Sequence, residues 1–336
     1  MDLELLLVAT GQILNPWPFF LLFIGTSLGI LVGAIPGMTG AMLIALTLPL
    51  TFYMDPFNAI VLLVAMYVGA ISGGLITATL LRMPGTPAAV MTTFDGYPMA
   101  RSGRPGRALG LGITASFVGG LIAWITLATI TKPLSIFATK FGPFEYFTLI
   151  MMAMVLIASV SEGSLAKGLI SGLLGMLISM PGVDPATGMP RLTFDWYMLN
   201  GGLKLLPVLI GVFAVSQIIK DALDIGQVSE RIAMSSKGML MSVRDFMQQG
   251  VNLIRSSLVG TWVGILPGIG ASIGSVIAYT AAKNMSKTPE KFGTGSEEGI
   301  VASEAANNAT VGGALIPLIA MGIPGSVIDA ILIGAL

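Results

Sequence analysis

The 336-residue chain is 54% hydrophobic and only 10% charged, with a mean hydropathy of +0.88 and 17 basic residues against 17 acidic ones. Soluble domains carry about 25% charged residues, so lipid is the solvent for most of this chain, with room for about ten spanning helices of roughly 20 residues. The absence of Cys and His excludes disulfides, thiolate or His-ligated metal sites and His relays. With no Lys or Arg before Arg82 there is no basic nucleic-acid face. The chain lacks a phosphate loop for ATP, and its acidic start does not read as a cleavable signal peptide.

In chain order, residues 3–14 predict a short interfacial helix ending at Asn15-Pro16. An apolar run over 17–35 is interrupted by Pro36-Gly37 and resumes over 38–50. A span is expected over 59–81, then a polar loop over 82–107 carrying Arg82, Asp95, Arg101, Arg104 and Arg107. Further apolar segments cover about 108–131, 144–160, 165–180 and 201–219, followed by an amphipathic stretch over 220–250. The runs 251–266 and 269–282 are split by Pro267-Gly268, a polar loop is expected over 283–307, and 309–323 and 326–336 are split by Pro324-Gly325. Lys and Arg concentrate in 82–107, 220–255 and 283–291, which places those loops on the cytoplasmic side. The side of the N-terminus is left open. The sequence stops at Leu336 within an apolar run, so a continuation beyond it is expected.

Two stretches resemble each other. Gly25, Gly29, Gly33 and Pro36-Gly37 correspond to Gly260, Gly264 and Pro267-Gly268, an offset of 231 (267 minus 36). Downstream, Gly73-Gly74 and Pro84-Gly85-Thr86 correspond to Gly312-Gly313 and Pro324-Gly325-Ser326. Proline removes a donor and breaks a helix, and in lipid a break is tolerated only where protein or a watered cavity covers it. Matched breaks in two halves point to the binding site of a secondary transporter, whether the repeats run parallel or inverted. The competing explanation for the glycines is close helix packing.

Three blocks then carry a family resemblance. They are Gly33-Ala34-Ile35-Pro36-Gly37-Met38-Thr39-Gly40, the stretch from Met83-Pro84-Gly85-Thr86-Pro87 through Asp95-Gly96-Tyr97-Pro98 to Gly106-Arg107-Ala108-Leu109, and Ser303-Glu304-Ala305-Ala306-Asn307-Asn308-Ala309 with Gly322-Ile323-Pro324-Gly325. In this order they resemble the large membrane subunit of the tripartite tricarboxylate transporters. The resemblance implies a multi-pass protein of the bacterial inner membrane. It implies a small membrane subunit and a periplasmic solute-binding protein as partners, and uptake of carboxylates such as citrate driven by Na+ or H+. Members of the family are longer than this chain.

The expected architecture is an all-α polytopic membrane protein of about ten apolar segments and two internal repeats with Pro-Gly-broken or re-entrant helices. It is a single transmembrane transporter domain over 1–336, with arm 1 at 20–107, connecting helices at 108–250 and arm 2 at 251–336. Candidate substrate contacts are Pro36, Gly37, Thr39, Gly40, Pro84, Gly85, Thr86, Pro267, Gly268, Gly270, Ser272, Pro324 and Gly325 at the breaks. For Thr39 and Ser272 the rival is a hydroxyl bonded to its own helix, and for Gly40 and Gly270 it is close backbone approach. Glu304, Asn307 and Asn308 fall on one helical face, where polar groups in an apolar run need partners. Asn307 and Asn308 can donate to a substrate carboxylate, whereas Glu304 with Asn308 suits a Na+ site and the rival is a packing contact or cap. Asp95 and Asp329 are further ion-coupling candidates, with a capping role favoured for Asp95. No enzyme, cofactor or nucleic-acid partner is expected beyond the coupling ion; a homo-oligomer is left open. Intramembrane aspartyl chemistry needs two facing carboxylates, and neither Asp55 nor Asp329 has a suitable flank. The alternatives are a passive channel and a carrier for a non-carboxylate solute.

Overall fold

The computed structural model describes residues 3–160, 164–183, 189–203 and 237–335, with isolated positions at 207, 208, 211, 215, 219 and 222. Most of the 201–219 segment and the 220–236 part of the amphipathic stretch lie outside the described residues. The described helices are α1 (Leu3–Ile13), α2 (Pro16–Gly33), α3 (Gly40–Thr51), α4 (Pro56–Leu80), α5 (Val90–Arg101), α6 (Pro105–Ala138), α7 (Pro143–Val160), α8 (Leu165–Ser179), α9 (Val243–Ile265), α10 (Gly270–Met285), α11 (Glu297–Met321) and α12 (Val327–Leu332). A two-residue antiparallel pair, Gly182–Val183 with Pro190–Arg191, follows α8. The fold is all-α, as expected.

Two boundaries differ from the sequence reading. The polar loop expected over 82–107 contains α5, and the one expected over 283–307 shrinks to the stretch ahead of α11, which Ser296 caps by accepting from the Gly299 N–H at 3.3 Å. Polar residues at 297–308 mask a helix when hydropathy alone is followed. The segment expected to end near 131 continues as α6 to Ala138, through Pro133. Among the described residues, three helices have the length and apolarity of a span: α2, α4 and α6. The breaks shorten several of the others. At 12 residues, α3 is about 18 Å long at 1.5 Å per residue, too short for about 30 Å of hydrocarbon.

The glycines fix how these pieces lie. A Cβ on Gly29 would collide with the Met66 carbonyl, one on Gly33 with Ala70, and one on Gly73 with Ile30. Positions rise together along α2 and α4, so the two helices run parallel and nearly backbone to backbone. The chain leaves α2 through a turn in which Gly37 has φ +92° and returns in α3, making α2–α3 a hairpin whose tip reaches Ala70, only part way along α4. Beyond α4 the chain dips back: Gly85 sits against the Gly33 carbonyl, and Gly74 against Thr86 and Ala89. Close approaches of the same kind join α9 to α11. Gly260 meets Ala306, Gly264 meets Thr310, Gly313 meets Thr261, and Gly325 meets the Gly264 carbonyl.

Between α4 and α11 the direction is opposite. Moving toward the C-terminal end of α4, Tyr67 bonds Ser326 at 3.0 Å, Ser72 bonds Asn308 at 2.8 Å and, on α5, Thr92 meets Ser303 at 3.1 Å. The partners count downward along the second arm, so α11 runs antiparallel to α4. Hairpin α2–α3 therefore enters from one face and α9–α10 from the other. The described parts of the three basic stretches meet near the C-terminal end of α4, where Arg104, Gln249 and Lys291 line one cleft. Arg107 there holds both Asp245 (2.8 Å) and Glu297 (2.8 Å), tying α6, α9 and α11 together. Asp245 lies in the first turn of α9, ahead of its apolar part. Hydrogen bonds from Arg107, then from Ser242, hold its carboxyl well below the usual carboxylate range.

At the centre, α11 is buried along nearly its whole length. Its small residues admit the neighbours: Gly119 of α6 lies on the Ala305 backbone while Gly260 of α9 lies on Ala306. The opposite surfaces of the outer helices are apolar and exposed, as Phe23, Phe117 and Trp262 show, which suits lipid contact rather than water.

Paired substitutions in α6 test this packing. Gly119→Ala has no space for its Cβ, whereas Gly120 has no heavy atom nearby. Gly119→Ala is expected to destabilise the detergent-solubilised protein by about 1–3 kcal/mol, and Gly120→Ala to leave it unchanged or stabilise it by about 0.5–1 kcal/mol through helix propensity. Thermal unfolding measures both; equal midpoints would contradict the close α6–α11 approach.

Candidate functional site

All four broken regions meet. A cavity of about 320 Å³ is lined by Thr39 and Gly40 from the first, Thr86, Pro87 and Ala88 from the second, Gly268, Ile269, Gly270 and Ser272 from the third, and Ser326, Val327 and Ile328 from the fourth. Tyr67 and Ile71 of α4 complete the wall. The sequence forces these turns: Gly268 and Gly270 have φ of +79° and +72°, values that residues with a Cβ rarely adopt. Backbone continuity between arms' own breaks is supplied by the Gly268 N–H, which donates to the Gly325 carbonyl at 3.0 Å.

The cavity is polar at its helix starts and apolar between them. Thr39 caps α3 by accepting from the Met42 N–H at 3.1 Å. Ser326 caps α12, accepting from the Asp329 N–H at 3.3 Å. Thr86 begins the short 3-10 turn Pro87–Ala89 with a buried hydroxyl that has no hydrogen-bond partner. The first turns of α3 and α10 carry unpaired N–H groups and the positive end of the helix dipole. No Lys or Arg is among the lining residues. The arrangement offers hydroxyls and backbone donors to an anionic or polar group, with Ile71, Ile269 and Ile328 shielding it.

Six of the residues singled out in the sequence line the cavity: Thr39, Gly40, Thr86, Gly268, Gly270 and Ser272. Pro36, Gly37, Pro84, Gly85, Pro267, Pro324 and Gly325 build the turns without being among the lining residues. Gly85 and Gly325 serve close approach, each against the carbonyl that ends the facing helix. Asn307 and Asn308 are buried in α11 away from the lining. The Asn308 amide oxygen accepts from Ser72, and its amide nitrogen donates to Asn307 at 2.7 Å. Glu304, also fully buried, is hydrogen-bonded to the Thr92 hydroxyl and, at 3.2 Å, to the Ser116 hydroxyl. Asp329 is fully buried directly behind the Ser326–Ile328 wall, and neither carboxyl oxygen has a hydrogen-bond partner among the described residues. Among the described residues no three His, Cys, Asp or Glu side chains cluster as a metal site.

Sequence reasoning missed Tyr67 as a lining residue and undervalued Ser326. Ser326 was legible as the counterpart of Thr86 after Pro-Gly. Tyr67 is a phenol inside an otherwise apolar span, and such a group needs a partner.

Asp95 is held apart from the cavity. Its Oδ1 accepts from the N–H groups of Gly293 (2.8 Å), Gly295 (2.9 Å) and Ser296 (2.7 Å), and its Oδ2 from the Tyr279 hydroxyl (2.7 Å). One carboxylate of arm 1 thus orders the loop that starts the central helix of arm 2. Asp95→Asn is expected to destabilise by about 1–3 kcal/mol, because it removes the charge that strengthens the three amide hydrogen bonds and turns the acceptor facing Tyr279 into a donor. Faster amide hydrogen exchange at Gly293, Gly295 and Ser296 is the check; unchanged exchange there would deny Asp95 this role.

Comparison with known proteins adds an independent line. The model of the tripartite tricarboxylate transporter TctA family matches residues 19–336. An Agrobacterium vitis protein described as "Uncharacterized 52.8 kDa protein in TAR-I ttuC' 3'region" is 38% identical over 315 residues, covering 93% of this chain and 62% of that protein. A second from the same organism, "Uncharacterized protein in TAR-II ttuC' 3'region", is 42% identical over 76 residues, 23% of this chain and 31% of its own length. The chain therefore spans 62% of the longer relative. No solved structure matches. The match runs through all four breaks that wall the cavity and through the buried polar stretch of α11: the chain belongs to the tripartite tricarboxylate transporter TctA family, a family of membrane transport proteins.

Proposed function

We propose that this chain forms the translocating part of the large membrane subunit of a binding-protein-dependent carrier. The carrier takes up tricarboxylates or related carboxylates across the bacterial inner membrane, coupled to an ion gradient. The observation that carries this reading is the convergence of four helix breaks, two from each arm, on one cavity. Backbone N–H groups freed at such breaks favour carboxylate oxygens. The hydroxyls of Thr39, Thr86, Ser272 and Ser326 add donors, and Pro36, Gly37, Pro84, Gly85, Pro267, Gly268, Gly270, Pro324 and Gly325 shape the turns that present them.

The equal glycine contacts within each arm, together with their opposite direction, support an inverted repeat over residues 20–107 and 251–336, linked by the 108–250 helices. Each face then contributes one hairpin, the geometry expected of alternating access about a fixed midplane site. Convergence of Arg104, Arg107 and Lys291 on one face supports a cytoplasmic assignment for it. A re-entrant hairpin adds no net crossing, so the start of α2, at the opposite face, is periplasmic. The small membrane subunit and the periplasmic binding protein complete the system. Glu304, with Asn307 and Asn308 at its side, and Asp329 behind the cavity are the groups through which an ion gradient acts.

Uptake of labelled carboxylates, citrate included, into cells lacking their own uptake tests the proposal, with the full-length protein and both partners present. Saturable uptake that collapses with the ion gradient is expected. Thr86→Val and Ser326→Ala are each expected to raise the apparent KM about fivefold to tenfold, the loss of roughly one hydrogen bond of about 1–1.5 kcal/mol, with normal membrane insertion. Non-saturable flux that ignores the gradient would mark a channel instead.

A further inference from the structure

Glu304 occupies a place in the fold that no cap or surface ion pair explains. It is fully buried in the N-terminal third of α11, and its carboxyl oxygens touch hydroxyls from two other elements: Thr92 of α5 in arm 1 and Ser116 of α6 in the connecting helices. Thr92 is also 3.1 Å from the Ser303 hydroxyl, and Ser303 donates to the Gly299 carbonyl at 2.9 Å. Thr92 and Ser303 are fully buried as well, and Ser116 nearly so.

Charges on the surrounding elements are engaged elsewhere. On α5, Asp95 is taken by three backbone amides and Tyr279 of α10. On α6, Arg107 is bound to Asp245 and Glu297. On α9, Arg255 donates to Asn252 at 2.6 Å. On α4, Tyr67 bonds Ser326. Asp329 of α12 stands behind the cavity. A carboxylate whose neighbours are hydroxyls and the Asn307 amide, with no cation beside it among the described residues, is stable away from water only when neutralised. The oxygens of Thr92 and Glu304 are in direct hydrogen-bond contact, which leaves no room for a metal ion between them.

We infer that Glu304 is the proton-carrying residue of this transporter, held as a neutral acid by Thr92, Ser303 and Ser116. This rests on the ion-coupled reading above and selects H+ over Na+ at this position. In the neutral form the proton order is complete: Glu304 donates to Thr92, Thr92 to Ser303, and Ser303 to the Gly299 carbonyl, while Ser116 donates to the other carboxyl oxygen. Deprotonation leaves an uncompensated charge where arm 1, arm 2 and the connecting helices meet. Gain of one proton from the outer side and its loss to the inner side would therefore bias the fit of the arms, and with it the cavity they enclose.

The test uses the full-length protein with its partners in proteoliposomes and the variant Glu304→Gln, which keeps the neutral shape. Glu304→Gln is expected to exchange labelled for unlabelled carboxylate across the membrane while losing accumulation driven by an imposed pH step. Accumulation at the wild-type level in Glu304→Gln would overturn the inference, as would wild-type accumulation driven by a Na+ step and indifferent to pH. A second measurement needs no transport. The infrared spectrum at neutral pH should contain a protonated carboxylic acid band that disappears in Glu304→Gln and shifts in Thr92→Val, which keeps the acid and removes its hydroxyl partner. Spectra in which wild type and Glu304→Gln differ only by an ionised carboxylate would reject the proton assignment. Absence of any carboxylate uptake by wild type would instead fail the transport reading, and the infrared band would still decide whether Glu304 carries a proton.

Discussion

A helix that ends inside an apolar layer leaves N–H and C=O groups with neither helix nor water to pair with. This single constraint organises the protein. Each of the four breaks is covered by others: the Gly325 carbonyl takes the Gly268 N–H, Gly85 rests on the Gly33 carbonyl, and Gly325 also rests on Gly264. The space left where the breaks face each other is the cavity. Site and fold are thus solutions to the same problem, since the groups that need covering are the groups that can receive a solute.

Coverage of this kind needs helices closer than ordinary side chains allow. Without a hydrophobic drive between helices in lipid, association depends on contact and on polar pairing. Gly29 and Gly33 of α2 against α4, and Gly260 and Gly264 of α9 against α11, bring backbones together. The same closeness lets short side chains reach between arms, so that Ser72 meets Asn308 and Thr92 meets Glu304. A polar seam then runs along α11, isolated from lipid by α6, α9 and α10. Its composition explains why α11 is central: a helix bearing Glu304, Asn307 and Asn308 is tolerated only where every face is covered by protein.

Asp95 and Arg107 hold the end of this seam. Both join elements far apart in sequence at the face where the basic loops gather. The sequence leaves Asp95 between a structural role, which it favours, and an ion ligand. In the structure its carboxylate accepts from backbone amides some 200 residues away. No spacing in the chain signals such a contact, because its partners are peptide groups that every residue possesses.

The sequence by itself determined the all-α membrane class, the matched breaks and the residues at their tips. These depend on local chemistry: apolar length, the missing N–H of Pro, and the positive φ open to Gly37, Gly268 and Gly270. It also placed Glu304, Asn307 and Asn308 on one helical face. The three-dimensional packing was needed to see that the broken regions meet in one cavity, that α4 and α11 run in opposite directions, and that Tyr67 joins the wall while Asn307 and Asn308 do not. Those facts rest on which backbones approach one another across the bundle, and hydropathy and spacing carry information along one chain direction only.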